Sequence, residues 1–171
     1  AEISGWRHGS KFIGTTNAGV WSVIQSNDGL NHPLLVAPGA YDDFEVTLTF
    51  RFIDCHPEDF VFLRGRGGPA GAMIVQCWPN GSIGLRWQKP DHNWQKTIVE
   101  TQSAKPRNPQ DWRQLRWVAK GQRHLAYLDG ALALSTNHPT ILNSGYLDVR
   151  IETESPSVSI EVSQLELFQV K

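Results

Sequence analysis

Between Phe44 and Phe52 apolar and polar side chains alternate without a fault: Phe-Glu-Val-Thr-Leu-Thr-Phe-Arg-Phe. Consecutive side chains of an extended chain point to opposite faces. This period of two therefore predicts a half-buried strand with Phe44, Val46, Leu48, Phe50 and Phe52 inward. A helix would scatter the same five residues around its circumference. Shorter extended runs are expected at 60–66, 72–78, 82–88 and 94–101, then at 114–119, 123–128, 131–135, 146–152 and 157–170. The connectors carry turn chemistry: Gly67-Gly68-Pro69, Pro79-Asn80-Gly81 and Pro90-Asp91-His92-Asn93. Asp129-Gly130 between two apolar runs predicts a type I′ hairpin. Trp112, Leu115, Val118 and Ala119 also fit a helical stripe, but Gly121 and the hairpin beyond it favour strands. Strands at this spacing describe an all-β fold, an antiparallel β-sandwich or jelly roll, read as one domain over 1–171.

Composition excludes several classes of function. The chain is 40% hydrophobic and 19% charged, which is globular. Sixteen Lys+Arg against seventeen Asp+Glu leave a formal charge of −1. No bulk attraction to nucleic acid or to an anionic membrane follows from that balance. No apolar run approaches the roughly 20 residues that span a bilayer, so no membrane insertion is expected. The opening Ala1-Glu2-Ile3 has neither a Met nor a secretory apolar region, and reads as a processed chain or a domain of a longer protein. Cys55 and Cys77 read equally as a disulfide or as two buried thiols, and neither has a metal-ligand spacing. Seven Trp are present. Trp6, Trp21, Trp112 and Trp117 sit at strand starts or on apolar faces and are assigned to core or rim packing.

The order of the pieces carries a resemblance. Trp21-Ser22-Val23 is followed by Pro38-Gly39-Ala40-Tyr41-Asp42-Asp43 leading into the long strand, then by Val61-Phe62-Leu63-Arg64 and Ile74-Val75-Gln76. The second half reads Asp111-Trp112-Arg113-Gln114-Leu115-Arg116-Trp117-Val118-Ala119-Lys120-Gly121, then Tyr127-Leu128-Asp129-Gly130, then Gly145 to Ile151. Over roughly residues 18 to 171 this resembles the concanavalin-A-like jelly-roll superfamily. Within it the chain looks like the 3-keto-disaccharide hydrolase domains, the fructan-binding carbohydrate modules and the laminin-G-like domains. Two motifs depart from the hydrolase pattern. Pro57-Glu58-Asp59 stands where Asn-Ser-Gly is usual, and Glu-x-Gln is reduced to Ile74-Val75-Gln76.

Alternation also sorts the middle strands into faces. Val61 and Leu63, Met73, Val75 and Cys77, and Ile83, Leu85 and Trp87 form core faces. Phe60, Phe62, Arg64 and Arg66 then lie opposite, with Ile74, Gln76 and Trp78, and with Gly84, Arg86 and Gln88. If the strands are neighbours, Arg64, Gln76, Trp78, Arg86 and Gln88 share one outward face. Guanidinium and amide groups can grip vicinal hydroxyls while an indole stacks on the C–H face of a sugar. The same residues also fit an ordinary solvated face, with Arg lying along it. The loop 89–94 adds His92 and Trp94 as a wall; its other reading is a plain turn.

No catalytic residues are expected. Glu-x-Asp-x-x-Glu, the glucanase spacing on this fold, does not occur, and no Gly-x-Ser-x-Gly elbow is present. Glu152 and Glu154 share a strand face near a sheet edge. No cofactor is expected, although fold analogy leaves room for one structural calcium on loop carboxylates such as Asp28, Asp42, Asp43, Asp54 or Asp59. The expected function is a non-catalytic carbohydrate-binding domain whose partner is a glycan or oligosaccharide. The alternatives are a glycoside-cleaving enzyme of the 3-keto-disaccharide type and a laminin-G-like module with a protein partner. The resemblance implies extracellular or periplasmic residence.

Overall fold

The computed structural model describes residues 7–8, 14–17, 20–26, 33–89, 94–101, 108–138, 144–153 and 156–170. Among them are fourteen strands and no helix: β1 (Arg7–His8), β2 (Gly14–Asn17), β3 (Val20–Ser26), β4 (Pro33–Val36), β5 (Phe44–Asp54), β6 (Phe60–Gly68), β7 (Gly71–Cys77), β8 (Ile83–Gln88), β9 (Trp94–Thr101), β10 (Arg113–Lys120), β11 (Arg123–Leu128), β12 (Ala131–Asn137), β13 (Tyr146–Glu152) and β14 (Ser157–Gln169). They form two seven-stranded sheets. The first runs β1-β4-β13-β6-β7-β8-β9 and the second β12-β11-β10-β5-β14-β3-β2. Every pairing between them is antiparallel.

The sheets close on one apolar layer. All five inward residues expected of β5 have no solvent exposure, and Val61, Leu63, Met73, Val75, Cys77, Ile83 and Leu85 meet them from the first sheet. Trp117 packs edge-on to Phe44 with ring centroids 4.8 Å apart. Gly65 makes room for that pair, since a Cβ there would come within 3 Å of both rings. The segment with a helical stripe is a strand: Leu115 and Trp117 are buried while Gln114 is exposed, a period of two. The Asp129-Gly130 hairpin forms as expected, with φ of 52° and 80° and Leu128 paired to Ala131.

Four points correct or complete the expectations. Arg66 does not share the outward face of Arg64. The β6–β7 register shifts between Gly65 and Gly68, and Arg66 takes φ 52°. The turned side chain donates to the carbonyls of Asp42 and Gly121 and pairs with the Asp43 carboxylate at 3.1 Å. Trp112 is 39% exposed on the rim and carries the Arg51 guanidinium on its ring, whereas Trp21 and Trp117 are core; Trp6 lies outside the described residues. Strands β1, β2 and β4, of two to four residues, are too short for any period to announce. Cys55 and Cys77 are not joined in a disulfide; Cys77 is buried and Cys55 half-buried.

His124, on β11, is buried with neither ring nitrogen hydrogen-bonded among the described residues, and it stacks on Trp117 at 5.9 Å. Burial, then the nearby Arg66 and His138, push its pKa down to about 4 from the ordinary 6.5. Below pH 6.5 the unfolded chain takes up a proton here while the folded chain resists until about pH 4. Stability contributed by neutral His124 is therefore complete above 6.5 and declines as pH falls through that window. Denaturant titrations at descending pH are expected to lose about 3 kcal/mol from this group. A His124→Leu variant is expected to remove that part of the slope.

Candidate functional site

The outward face of the first sheet is built in rows set by register. Across β13, β6, β7 and β8 one row reads Asp148, Arg64, Ile74, Arg86. The next reads Arg150, Phe62, Gln76, Gly84, and ends on Glu100 of β9. Phe60, Phe62 and Ile74 pack together on this face with Trp78, a second apolar cluster separate from the core. The register thus brings together Arg64, Gln76, Trp78, Arg86 and Gln88. His92 and the side chain of Trp94 lie outside the described residues.

The face is less exposed than alternation alone implies. Gln76 has no solvent exposure, and Arg64 and Gln88 are buried; Trp78 and Arg86 are half-buried. Buried amide and guanidinium groups are costly unless hydrogen-bonded, and about nine in ten find a partner. Among the described residues both amide atoms of Gln76, the Nε of Arg64, the Nε of Arg86 and the Oε1 of Gln88 have none. The second sheet's arginines behave differently. On its outer side Arg116 grips Glu45 bidentately at 2.8 and 2.9 Å, and Arg51 reaches Glu161 at 2.6 Å. A face whose polarity served only solvation would resemble the second sheet.

Neighbouring groups hold these side chains in place. Asp148 is buried and takes Arg150 on both oxygens at 2.9 and 3.1 Å, with Arg64 at 3.8 Å. The Arg64 guanidinium lies 4.9 Å from the Tyr146 ring, and Tyr146 rests on Gly67, where a Cβ would collide with it. Burial lowers the Arg64 pKa, opposed by Asp148. The Trp78 indole lies over Gly84, whose absent Cβ would sit 3.1 Å from the ring, with the Gln76 Oε1 close by. Arg86 stands 5.6 Å from the same ring, in cation–π range.

At this end a cavity of about 550 Å³ opens, lined by Glu58, Phe60, Trp78, Arg86 and Glu100. That volume lies within the range of small-molecule sites. The turn before β6 that carries Glu58 is tied down by the buried Asp59, which accepts from the His56 amide at 2.6 Å. Across the core, Arg113 from β10 donates to the Trp78 carbonyl at 2.9 Å, to the Pro79 carbonyl and to the Asn108 carbonyl at 3.1 Å. The second sheet therefore anchors the turn on which Trp78 stands.

Sequence reasoning did not place Glu100, Tyr146, Asp148, Arg150 or Arg113 at this face, and it met Glu58 only as a loop carboxylate in Pro57-Glu58-Asp59. For Glu100, Asp148 and Arg150 the missing signal is strand order, since β9 and β13 must be known neighbours. Among the described residues no three of His, Cys, Asp and Glu gather as metal ligands. Of the loop carboxylates considered for calcium, Asp43 is engaged by Arg66 and the Gly121 amide, and Asp59 by the His56 amide; Asp28 lies outside the described residues.

No protein-family model matches the chain, and no curated protein sequence does. Solved structures match its fold. The carbohydrate-binding module CBM66 from Bacillus subtilis superposes with a TM-score of 0.72 at 12% identity, covering 96% of this chain and 97% of that one. A native glycosidic hydrolase gives 0.71 at 9%, covering 98% and 91%. The metal-free carbohydrate recognition domain of Emp46p gives 0.68 at 12%, covering 99% and 91%. The fold is thus an antiparallel jelly-roll sandwich of the kind found in that carbohydrate-binding module, that glycosidic hydrolase and that carbohydrate recognition domain. At these identities the likeness is one of fold.

Truncating Arg113 to Ala removes the donor to the Pro79 carbonyl, leaves the Trp78 carbonyl with the Gly81 amide alone, and empties a buried side-chain volume. The Arg113→Ala variant is expected to lose roughly 3 kcal/mol of stability, read by denaturant unfolding. A loss below about 0.5 kcal/mol, the scale of surface substitutions, would show that the anchor is dispensable.

Proposed function

We propose that this protein is a non-catalytic carbohydrate-binding domain that takes a glycan on the outward face of the first sheet. The observation that carries the reading is the set of unpartnered buried polar atoms on β6, β7 and β8, beside a half-buried indole at an open cavity. Gln76 offers two donors and an acceptor, and Arg64 and Arg86 offer donors only, in a fixed fork. Sugar hydroxyls both donate and accept, so they satisfy such a set. The pyranose or furanose C–H face covers the Trp78 ring, removing apolar surface from water. Planar side chains already held by Tyr146, Asp148 and Gly84 lose little freedom on binding, which favours affinity. Gln88 sits beside this set, and His92 and Trp94 remain candidate contacts of the same proposal.

The shared fold supports the reading, since CBM66 and the Emp46p domain are described as carbohydrate-binding. It also fits residence outside the cytoplasm, and no helix among the described residues is long and apolar enough to cross a membrane. Glycoside cleavage, the alternative reading, uses two carboxylates about 5 to 9.5 Å apart, whereas Glu58 and Glu100 line the same cavity three strand spacings from each other, roughly 14 Å.

Retardation on immobilised polysaccharides, followed by calorimetry on the sugar retained, tests the first reading. Wild type is expected to bind one sugar class saturably. Trp78→Ala and Gln76→Ala are expected to weaken binding by about tenfold or more, equal to about 1.4 kcal/mol, with unfolding midpoints confirming the fold. Binding unchanged in both variants would move the site elsewhere. Release of free sugar from the retained polysaccharide would instead support the enzyme. A blank across every polysaccharide would turn the search to a protein partner.

A further inference from the structure

The cavity lining mixes charge in an uneven way. Arg86 supplies one positive charge, while Glu58 and Glu100 supply two negative ones. Glu58 and Glu100 are exposed, and neither carboxylate is committed to an ion pair among the described residues. They stand on opposite rims. Glu100 is on β9 and Glu58 just ahead of β6, three strand spacings apart, which is roughly 14 Å across the sheet. Between the rims lie Trp78, the half-buried Arg86 and the fully buried, unpartnered Gln76.

From this arrangement we infer that the sugar accepted is uncharged, and that Glu58 and Glu100 are its specificity-determining contacts. The inference rests on the carbohydrate-binding reading and narrows its ligand. A carboxylate only accepts hydrogen bonds, and guanidinium only donates. A ligand bridging both needs groups that do each, and hydroxyls arrayed around a neutral ring do so without bringing charge into the site. A uronic acid, sialic acid or sulfate ester would set its own negative charge against two fixed ones, a like-charge juxtaposition that disfavours the wrong ligand. Arg64 and Arg150 do not line the cavity; both are turned toward Asp148 on the β6–β13 side, whose carboxylate offsets one of their two positive charges. The tied turn at His56 to Asp59 holds Glu58 at its rim before any ligand arrives.

The test compares retention, at low ionic strength, on neutral polysaccharides (glucan, galactan, mannan, fructan) with retention on polygalacturonate, alginate and heparin. Wild type is expected to be held by a neutral polymer and by none of the three acidic ones. The Glu58→Gln, Glu100→Gln double variant touches two exposed side chains, so its fold is expected to persist, checked by its unfolding midpoint. It is expected to lose about tenfold in affinity for the neutral polymer. Glu58→Lys with Glu100→Lys is expected to gain retention on polygalacturonate. Retention of wild type on an acidic polymer, or unchanged neutral-sugar affinity in the double Gln variant, would overturn this inference and leave carbohydrate binding standing. No retention of wild type on any polymer would overturn both.

Discussion

The apolar layer between the two sheets is the constraint on which the rest depends. Each strand commits alternate side chains to it, and β5, placed between β10 and β14, commits Phe44, Val46, Leu48, Phe50 and Phe52. Antiparallel pairing then sets which residues stand opposite one another, because a slip of one residue would turn every apolar group to water. Once Val61, Leu63, Val75 and Leu85 point inward, Arg64, Gln76 and Arg86 have no choice but the other face. The candidate site is in this sense the reverse side of the core.

What distinguishes that reverse side is incomplete satisfaction. On the outer side of the second sheet Arg116 and Arg51 close onto Glu45 and Glu161. The first sheet holds its arginines with an aromatic ring, a buried aspartate or an indole, and leaves amide and guanidinium nitrogens unpaired. Such a face costs folding free energy unless something else makes the missing bonds. Stability and function are coupled at its edge as well. Arg113 is buried beneath the site and belongs to the other sheet, yet it fixes the Trp78 turn through two carbonyls.

Local compensations recur where side chains must lie flat. Gly84 lets Trp78 rest on the strand, Gly67 does so for Tyr146, and Gly65 admits Phe44 and Trp117 from within the sandwich. In each case a large ring takes the place of the missing Cβ. A glycine inside a strand normally weakens it, and here it marks a close approach. These three positions lie under the candidate site or directly behind it.

Much of the architecture was legible in the chain. Period two identified the strands from β5 to β14, and the Asp-Gly pair identified the hairpin, because both signals are local and span enough residues to stand above chance. The grouping of Arg64, Gln76, Trp78, Arg86 and Gln88 was legible too, since three successive antiparallel strands transmit their alternation directly. Tertiary structure alone decided the rest. That β13 lies beside β6, which brings Asp148 and Arg150 to the face, follows from a crossover that no local pattern encodes. The turn of Arg66 away from Arg64 came from a bulge and one left-handed residue, which alternation cannot foresee. The shortest strands exist only because a neighbour offers its edge. Local alternation chose the face of each residue, and the packing of distant strands chose its company.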